Sequence, residues 1–458
     1  EFLSVGGGRG IRIRGGHARQ CTTRRVAKPC LRRHTPCGTR DVPDLGQTMT
    51  EFPTWAEVDL DRFGRNIAAI QAAIGHGCKI LLVVKADAYG HGAVEISRAA
   101  VDAGVTMLGV ATLHEGIELR SAGSTAPIVI MSPSLASEVD EIIEHRLTPC
   151  VSTQEFAGLL SQRCLAHEVI SRIHVEVDTG MGRTGVSDQD ALEFIQRVAK
   201  MPNLKLESVF THFPDADSGN TYFAEEQLRR FNEILSDLRS RKIEVPIRHA
   251  ANSAGILSLP QSWLDMVRPG ILAYGFYPSS RVPRTIPVEG VMSFKSRLVQ
   301  LRSVPAGRFI SYSRTYETKR PTTVGVLPVG YGHGLPWLLS NRGEVLIRGR
   351  RAPVIGRVTM DLTMVDVTEI PDAAIGDEAV LFGEQGGAAI TIEEVAERAE
   401  TVPYEILCSM GKRVVRVFMR GGEPEKILTL VGERHESEPA QGARRTRKVQ
   451  YKNSRIPS

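Results

Sequence analysis

No apolar run in the 458 residues approaches the roughly 18 needed to span a membrane, and no apolar segment near the start has the form of a secretory signal. Paired cysteines are also missing. The seven, at 21, 30, 37, 78, 150, 164 and 408, are odd in number and scattered, so a disulfide framework is not expected and a reducing cytoplasm suits them. Cys30, His34 and Cys37 lie close together, but their spacing matches no zinc motif and no hydrophobic pattern surrounds them, so no metal site is expected. Acidic residues are absent from 440–458, which holds six Lys/Arg, and scarce in 1–48, where ten Lys/Arg face three acids. These ends carry +6 and +7 of a net +5, so the body between them is acidic at −8. The basicity sits in tails with little apolar content, and nucleic-acid binding is not expected.

With 42% hydrophobic and 24% charged residues, the composition is that of a soluble globular protein long enough for two or three domains. Residues 1–48 lack periodicity and precede the first methionine, Met49, so they read as a basic leader outside the native fold. Gly6–Gly10 is no phosphate loop, because no strand precedes it. Residues 432–458 read as a disordered basic tail.

Between these ends the texture is regular. Trp55–Leu60 alternates like a short strand, and Asp61 is placed to cap the helix after it. Short β-branched runs follow near 80–84, 106–110, 127–131, 147–151, 172–177, 207–211, 246–249 and 266–268, with helical patterns clearest at 93–103, 153–166, 188–200 and 222–241. Eight strands alternating with helices predict a (β/α)8 TIM barrel over 49–290. An open doubly wound sheet, with its usual five or six strands, leaves some of them unplaced. From 291 to 431 the pattern changes to short strands separated by Gly and Pro, with one helix near Thr391–Arg398 and a last strand at Val414–Met419. The fold class is therefore α/β, a barrel followed by a mostly-β domain.

Polar residues gather at the carboxyl ends of the barrel strands, where this fold keeps its chemistry. The apolar run from Lys79 stops at Lys85, followed by Tyr89 and two glycines. A partly desolvated lysine there can form a Schiff base, although a strand-end lysine can equally snorkel to water. Glu176, Asp178 and Arg183 follow the fifth strand, His212 the sixth, and His249, Asn252 and Ser253 the seventh. Arg268, Gly270 and Ile271 belong to the eighth. A hydroxyl and a glycine turn after strands seven and eight mark the usual phosphate site of the barrel. A lysine facing a phosphate site points to pyridoxal 5'-phosphate.

Val83-Val-Lys85-Ala-Asp-Ala-Tyr89-Gly-His-Gly92 resembles the pyridoxal-phosphate signature of the alanine racemases. Asp178–Arg183, His249–Ser253, Val267–Ile271, Ser311–Ser313, Gly330–Gly332, Gly356–Asp361 and Pro403–Glu405 resemble the same family in the same order, from about Trp55 to about Met419. The resemblance implies a cytoplasmic homodimeric isomerase that interconverts L- and D-alanine for cell-wall precursors. It implies that Lys85 carries the cofactor and acts as base on one face of the substrate, with Tyr312 of the partner subunit as base on the other. Tyr89, Ser253, Gly270, Ile271 and Tyr404 would hold the phosphate, and Asn252 would also bind the cofactor. Arg183 would bond the ring hydroxyl and help bind substrate, His212 would pack on the ring, and His249 would bond Arg268. Met360 would bind the substrate carboxylate through its backbone, with Tyr331 and Asp361 in support.

Arg268 discriminates between chemistries. A permanently protonated donor at the pyridine nitrogen leaves that nitrogen unprotonated and the electron sink weak, which suits racemisation better than transamination. The sequence departs from the family pattern at three places. Glu176 stands where many members carry a carbamylated lysine, and is expected to put its charge beside Arg183. His333 and Trp337 alter the expected substrate entrance. A broader racemase for serine or basic amino acids, or a non-catalytic cofactor carrier, are the competing readings. Taken singly, His212 and His249 are also compatible with ordinary core histidines.

Overall fold

Ile80, Leu81, Leu82 and Val83 are all buried, as a strand covered on both faces requires. In the computed structural model, which describes residues 52–435, this strand, Lys79–Val83, is the first of eight in a parallel barrel. The others are Met107–Val110, Ile128–Pro133, Thr148–Cys150, Ser171–Asp178, Leu204–Phe210, Ile247–His249 and Met266–Val267. The first seven pair in parallel with their neighbours in turn, and the eighth returns to the first through Met266 opposite Lys79. Only a single parallel bridge, Asn252 to Arg268, joins strands seven and eight, so the barrel is nearly closed. The eight expected strands and the four clearest helices all form, the latter at Ala93–Asp102, Gln154–Ala166, Ala191–Val198 and Tyr222–Ser240. The leader 1–48, the Cys30/His34/Cys37 group and the tail beyond 435 lie outside the described residues.

Three readings at the edges need correction. Thr54–Asp59 does not serve the barrel: it runs antiparallel to Met292–Arg297 and parallel to Val415–Arg420, inside the sheet of the β module. Trp55 is fully buried there against Val417 and Ile427. The helix Leu60–Ile74 is capped by Asp59, whose carboxylate accepts from Arg62 N–H at 2.8 Å. Asp61 lies inside the first turn and takes the Gly421 N–H instead. The disordered tail expected from 432 does not include Gly432–His435, which pairs with Glu423–Thr429 in a hairpin. One continuous hydrophobic core joins barrel residues such as Leu82 and Tyr274 to Phe294 and Leu346 of the β module. Among the described residues no helix is long and apolar enough to cross a membrane.

Candidate active site

The barrel opens into a cavity of about 650 Å³. Its wall contains Lys85 and Tyr89 from the first strand end, Glu176 and Arg183 from the fifth, and His212 from the sixth. Asn252 and Ser253 come from the seventh strand end and Arg268, Gly270 and Ile271 from the eighth. Tyr404 comes from the helix Pro403–Cys408. The sequence-predicted barrel residues thus converge.

Lys85 is presented by an unusual piece of backbone. Ala86, Asp87, Ala88 and Tyr89 all have φ between 52° and 55°, a left-handed turn of four residues with side chains. Each costs about 1–2 kcal/mol, so surrounding contacts must hold the turn. Glu115 accepts the Ala86 N–H at 2.8 Å, and Asp87 accepts the Ala93 N–H at 2.7 Å. At Gly90 a Cβ would lie 2.2 Å from the Leu407 carbonyl oxygen, so only glycine fits. The turn brings the Tyr89 hydroxyl against Gly270, where a Cβ would meet it at 2.6 Å. The Lys85 side chain lines the cavity and stays exposed within it, shedding part of its water against the wall. That partial desolvation, then the charge of Arg183, lowers its pKa.

Arg268 is almost wholly buried. One terminal nitrogen donates to His249 Nδ1 at 2.7 Å. The other donates to the carbonyls of Thr211 at 2.8 Å and Ala250 at 3.0 Å and reaches His212 Nδ1 at 3.2 Å. Its Nε has no partner in the protein. Burial, then Arg268, keeps His249 neutral well below the usual histidine range. Burial, then Arg268, Arg183 and Lys85, pushes His212 down to about 3. Glu176 differs in detail from expectation. Its direct partner is Thr184, whose hydroxyl donates at 2.8 Å, while Arg268 and Arg183 act on it through charge alone. Burial raises its pKa against those charges.

Four expected residues lie elsewhere. Tyr312 is 72% exposed and lines a separate cavity of about 780 Å³ on the β module, with Phe309 and Thr359. Met360 and Tyr331 are half-exposed and absent from the barrel cavity. Asp361 pairs with Arg413 at 2.7 Å. Trp337 stands half-exposed under the Arg357 guanidinium, 4.5 Å from the ring centre, and His333 is buried, its Nδ1 taking the Gly330 N–H.

Sequence reasoning missed several residues that build the site. Glu115 accepts backbone N–H groups from Ala86, Ala111 and Thr112, and Thr112-x-x-Glu115 is a capping box legible in the sequence. Cys408 lines the cavity without a motif signal of its own.

Comparison with known proteins agrees with this geometry. Residues 58–278 match the family profile "Alanine racemase, N-terminal domain" and 291–418 match "Alanine racemase, C-terminal domain". An alanine racemase of Halothermothrix orenii is 43% identical over 366 residues, covering 80% of this chain and 97% of the relative. A solved alanine racemase of Clostridium difficile 630 superposes with a TM-score of 0.81 at 34% identity, covering 83% and 99% of the two chains. Another, from Bartonella henselae with covalently bound pyridoxal phosphate, gives 0.73 at 25% identity, covering 80% of this chain and all of the other. The chain belongs to the alanine racemase family.

Proposed function

We propose that this protein interconverts L- and D-alanine with pyridoxal 5'-phosphate held on Lys85, supplying D-alanine for the cell wall. The residues present fit that cofactor. The buried Arg268 Nε lacks a partner, as a group meant for a ring nitrogen would. Ser253 Oγ accepts the Gly270 N–H at 2.9 Å, which leaves its own O–H, with the Tyr89 hydroxyl beside it, to donate to a phosphate in a glycine-floored niche. Once bound, the cofactor draws electrons from the substrate Cα and makes its proton acidic. Lys85, its pKa already lowered, takes or returns that proton on one face. Arg183 and His212 orient the ring, and the neutral His249 fixes the Arg268 guanidinium.

The observation that carries the reading is the division of the expected site. One chain gathers Lys85, Arg183 and Arg268 in the barrel cavity, whereas Tyr312, Met360 and Tyr331 stand exposed on the β module. A second copy that lays its β module over the barrel mouth supplies the second base, Tyr312, so the protein acts as a homodimer with shared sites. The cytoplasm suits it, since the four cysteines among the described residues are all free.

Incubation with a panel of L-amino acids and chiral chromatography tests the reaction. Alanine should racemise fastest, and Lys85→Ala should abolish it. Equal turnover of serine or basic amino acids would favour a broad racemase, a reading prompted by His333 and the Arg357–Trp337 pair at the expected entrance. No turnover of any amino acid by cofactor-loaded protein would leave only the carrier reading.

A further inference from the structure

The barrel interior holds a polar group that the reaction above does not use. His174, with no exposed surface, lies beside His249, their ring centres 5.7 Å apart and the planes tilted by 64°. Its Nε2 is 3.3 Å from Glu207, whose carboxylate is itself buried and also takes a bond from the exposed Arg172. Glu207 reaches this position through a β-bulge. Ile173 lies opposite Leu206 and His174 opposite Ser208, so Glu207 is an extra residue on its strand. Bulges re-aim a side chain, and this one directs a carboxylate to His174.

Two buried nitrogens here lack partners: His174 Nδ1 and His249 Nε2. Their protonation follows from their other bonds. Arginine only donates, so His249 Nδ1 accepts from Arg268 and the neutral ring carries its proton on Nε2. An ionised carboxylate only accepts, so His174 Nε2 donates to Glu207 and its Nδ1 keeps a lone pair. The unpartnered pair is therefore one donor and one acceptor on adjacent rings. Either alone would carry the cost of an unmade buried hydrogen bond.

We propose that His174 and Glu207 are positioning residues for Arg268, with His249 Nε2–H directed to His174 Nδ1, over a small ring rotation or one buried water. A single line of polar contacts then runs from Arg172 through Glu207, His174 and His249 to Arg268. Its purpose is tautomer control. If His174 presents no acceptor, His249 can move its proton to Nδ1, where it opposes the Arg268 N–H donor and loosens the guanidinium. The consequence for chemistry rests on the reading that Arg268 faces the cofactor's nitrogen, whereas the histidine linkage itself does not.

The test uses His174→Phe, Glu207→Gln and the conservative Glu207→Asp in the cofactor-loaded protein, each checked for native thermal unfolding. Outer partners of active-site groups commonly matter by roughly 10–100-fold. His174→Phe is expected to lower kcat about tenfold with KM little changed, and Glu207→Asp to restore most of any loss in Glu207→Gln. Pyruvate released per racemisation should rise in His174→Phe, because a loosened Arg268 no longer keeps the electron sink weak. A merely structural role would not change that ratio. Nitrogen-15 histidine labelling should show His249 as the Nε2–H tautomer in the parent protein and altered in His174→Phe or, should that variant not fold, in Glu207→Gln. Unchanged His249 signals and an unchanged pyruvate ratio in a folded variant would overturn the proposal. A parent protein that holds no cofactor and racemises nothing would sink the functional reading instead, while the histidine signals would still report the linkage.

Discussion

At the scale of single residues, the charges of the site are set by burial first and by neighbours second. Glu176 shows this: desolvation raises its pKa, and Thr184, Arg268 and Arg183 oppose the rise. Glu176→Gln keeps an acceptor for the Thr184 hydroxyl but removes the charge between two arginines. It should lower kcat/KM roughly tenfold, the scale of one hydrogen bond or contact to a charged group. Activity of the parent enzyme should be indifferent to bicarbonate, because a carboxylate needs no carbon dioxide. Full activity of the variant, or a bicarbonate requirement in the parent, would refute this role. The histidines make a second prediction. Burial pushes His91 down to about 4 and His212 to about 3, and holds His174 and His249 below 6.5 as well. A depressed pKa means that the unfolded chain binds the proton first, so this stability is present above 6.5 and is lost as pH falls through that value. At pH 5.5 His91 and His212 should each cost about 1.4 kcal/mol relative to pH 7.5, with His174 and His249 adding in the same direction. Urea unfolding at the two values checks it, and equal stability would contradict it. Most of these residues were legible through the strand-end motifs. His174 and Glu207 were not, since a one-residue bulge reverses which side chains face inward and leaves no mark in the periodicity.

At the scale of elements, the left-handed turn Ala86–Tyr89 is the least legible feature of the fold. Alanine and tyrosine do not announce positive φ; only Gly90 and Gly92 hinted that the chain turns here. Tertiary contacts impose it, chiefly Glu115 and Asp87. Asp87→Ala removes the acceptor for the Ala93 N–H and the neighbour of Arg416, 3.8 Å away. Stability should fall by about 1 kcal/mol, as when a helix loses its cap, and cofactor should dissociate faster because Tyr89 loses its support. Thermal unfolding together with the rate of cofactor release checks both parts, and a variant unchanged in both would show the turn to be held by other means. The strands themselves were easily read, because runs buried on both faces are continuous in sequence. The membership of Thr54–Asp59 was not, since alternation indicates a strand but not its partners, and here those come from residues more than 230 positions away.

At the scale of the whole molecule, the barrel and the β module share one core, yet a single chain leaves its expected site in two parts. Lys85 faces the barrel cavity and Tyr312 stands exposed on the β module. No sequence pattern distinguishes a residue exposed to water from one awaiting a second copy, so this division could be stated only as what the family resemblance implied. Subunit complementation tests it most directly. Lys85→Ala and Tyr312→Phe should each be nearly inactive, because each removes one of the two proton acceptors. Mixed and allowed to exchange subunits, they form a heterodimer in which one site carries both lesions and the other carries neither. The account predicts that racemisation returns, approaching half of the parent activity per heterodimer. A heterodimer verified by mass that stays inactive would mean that both bases belong to one chain, and would contradict the shared site.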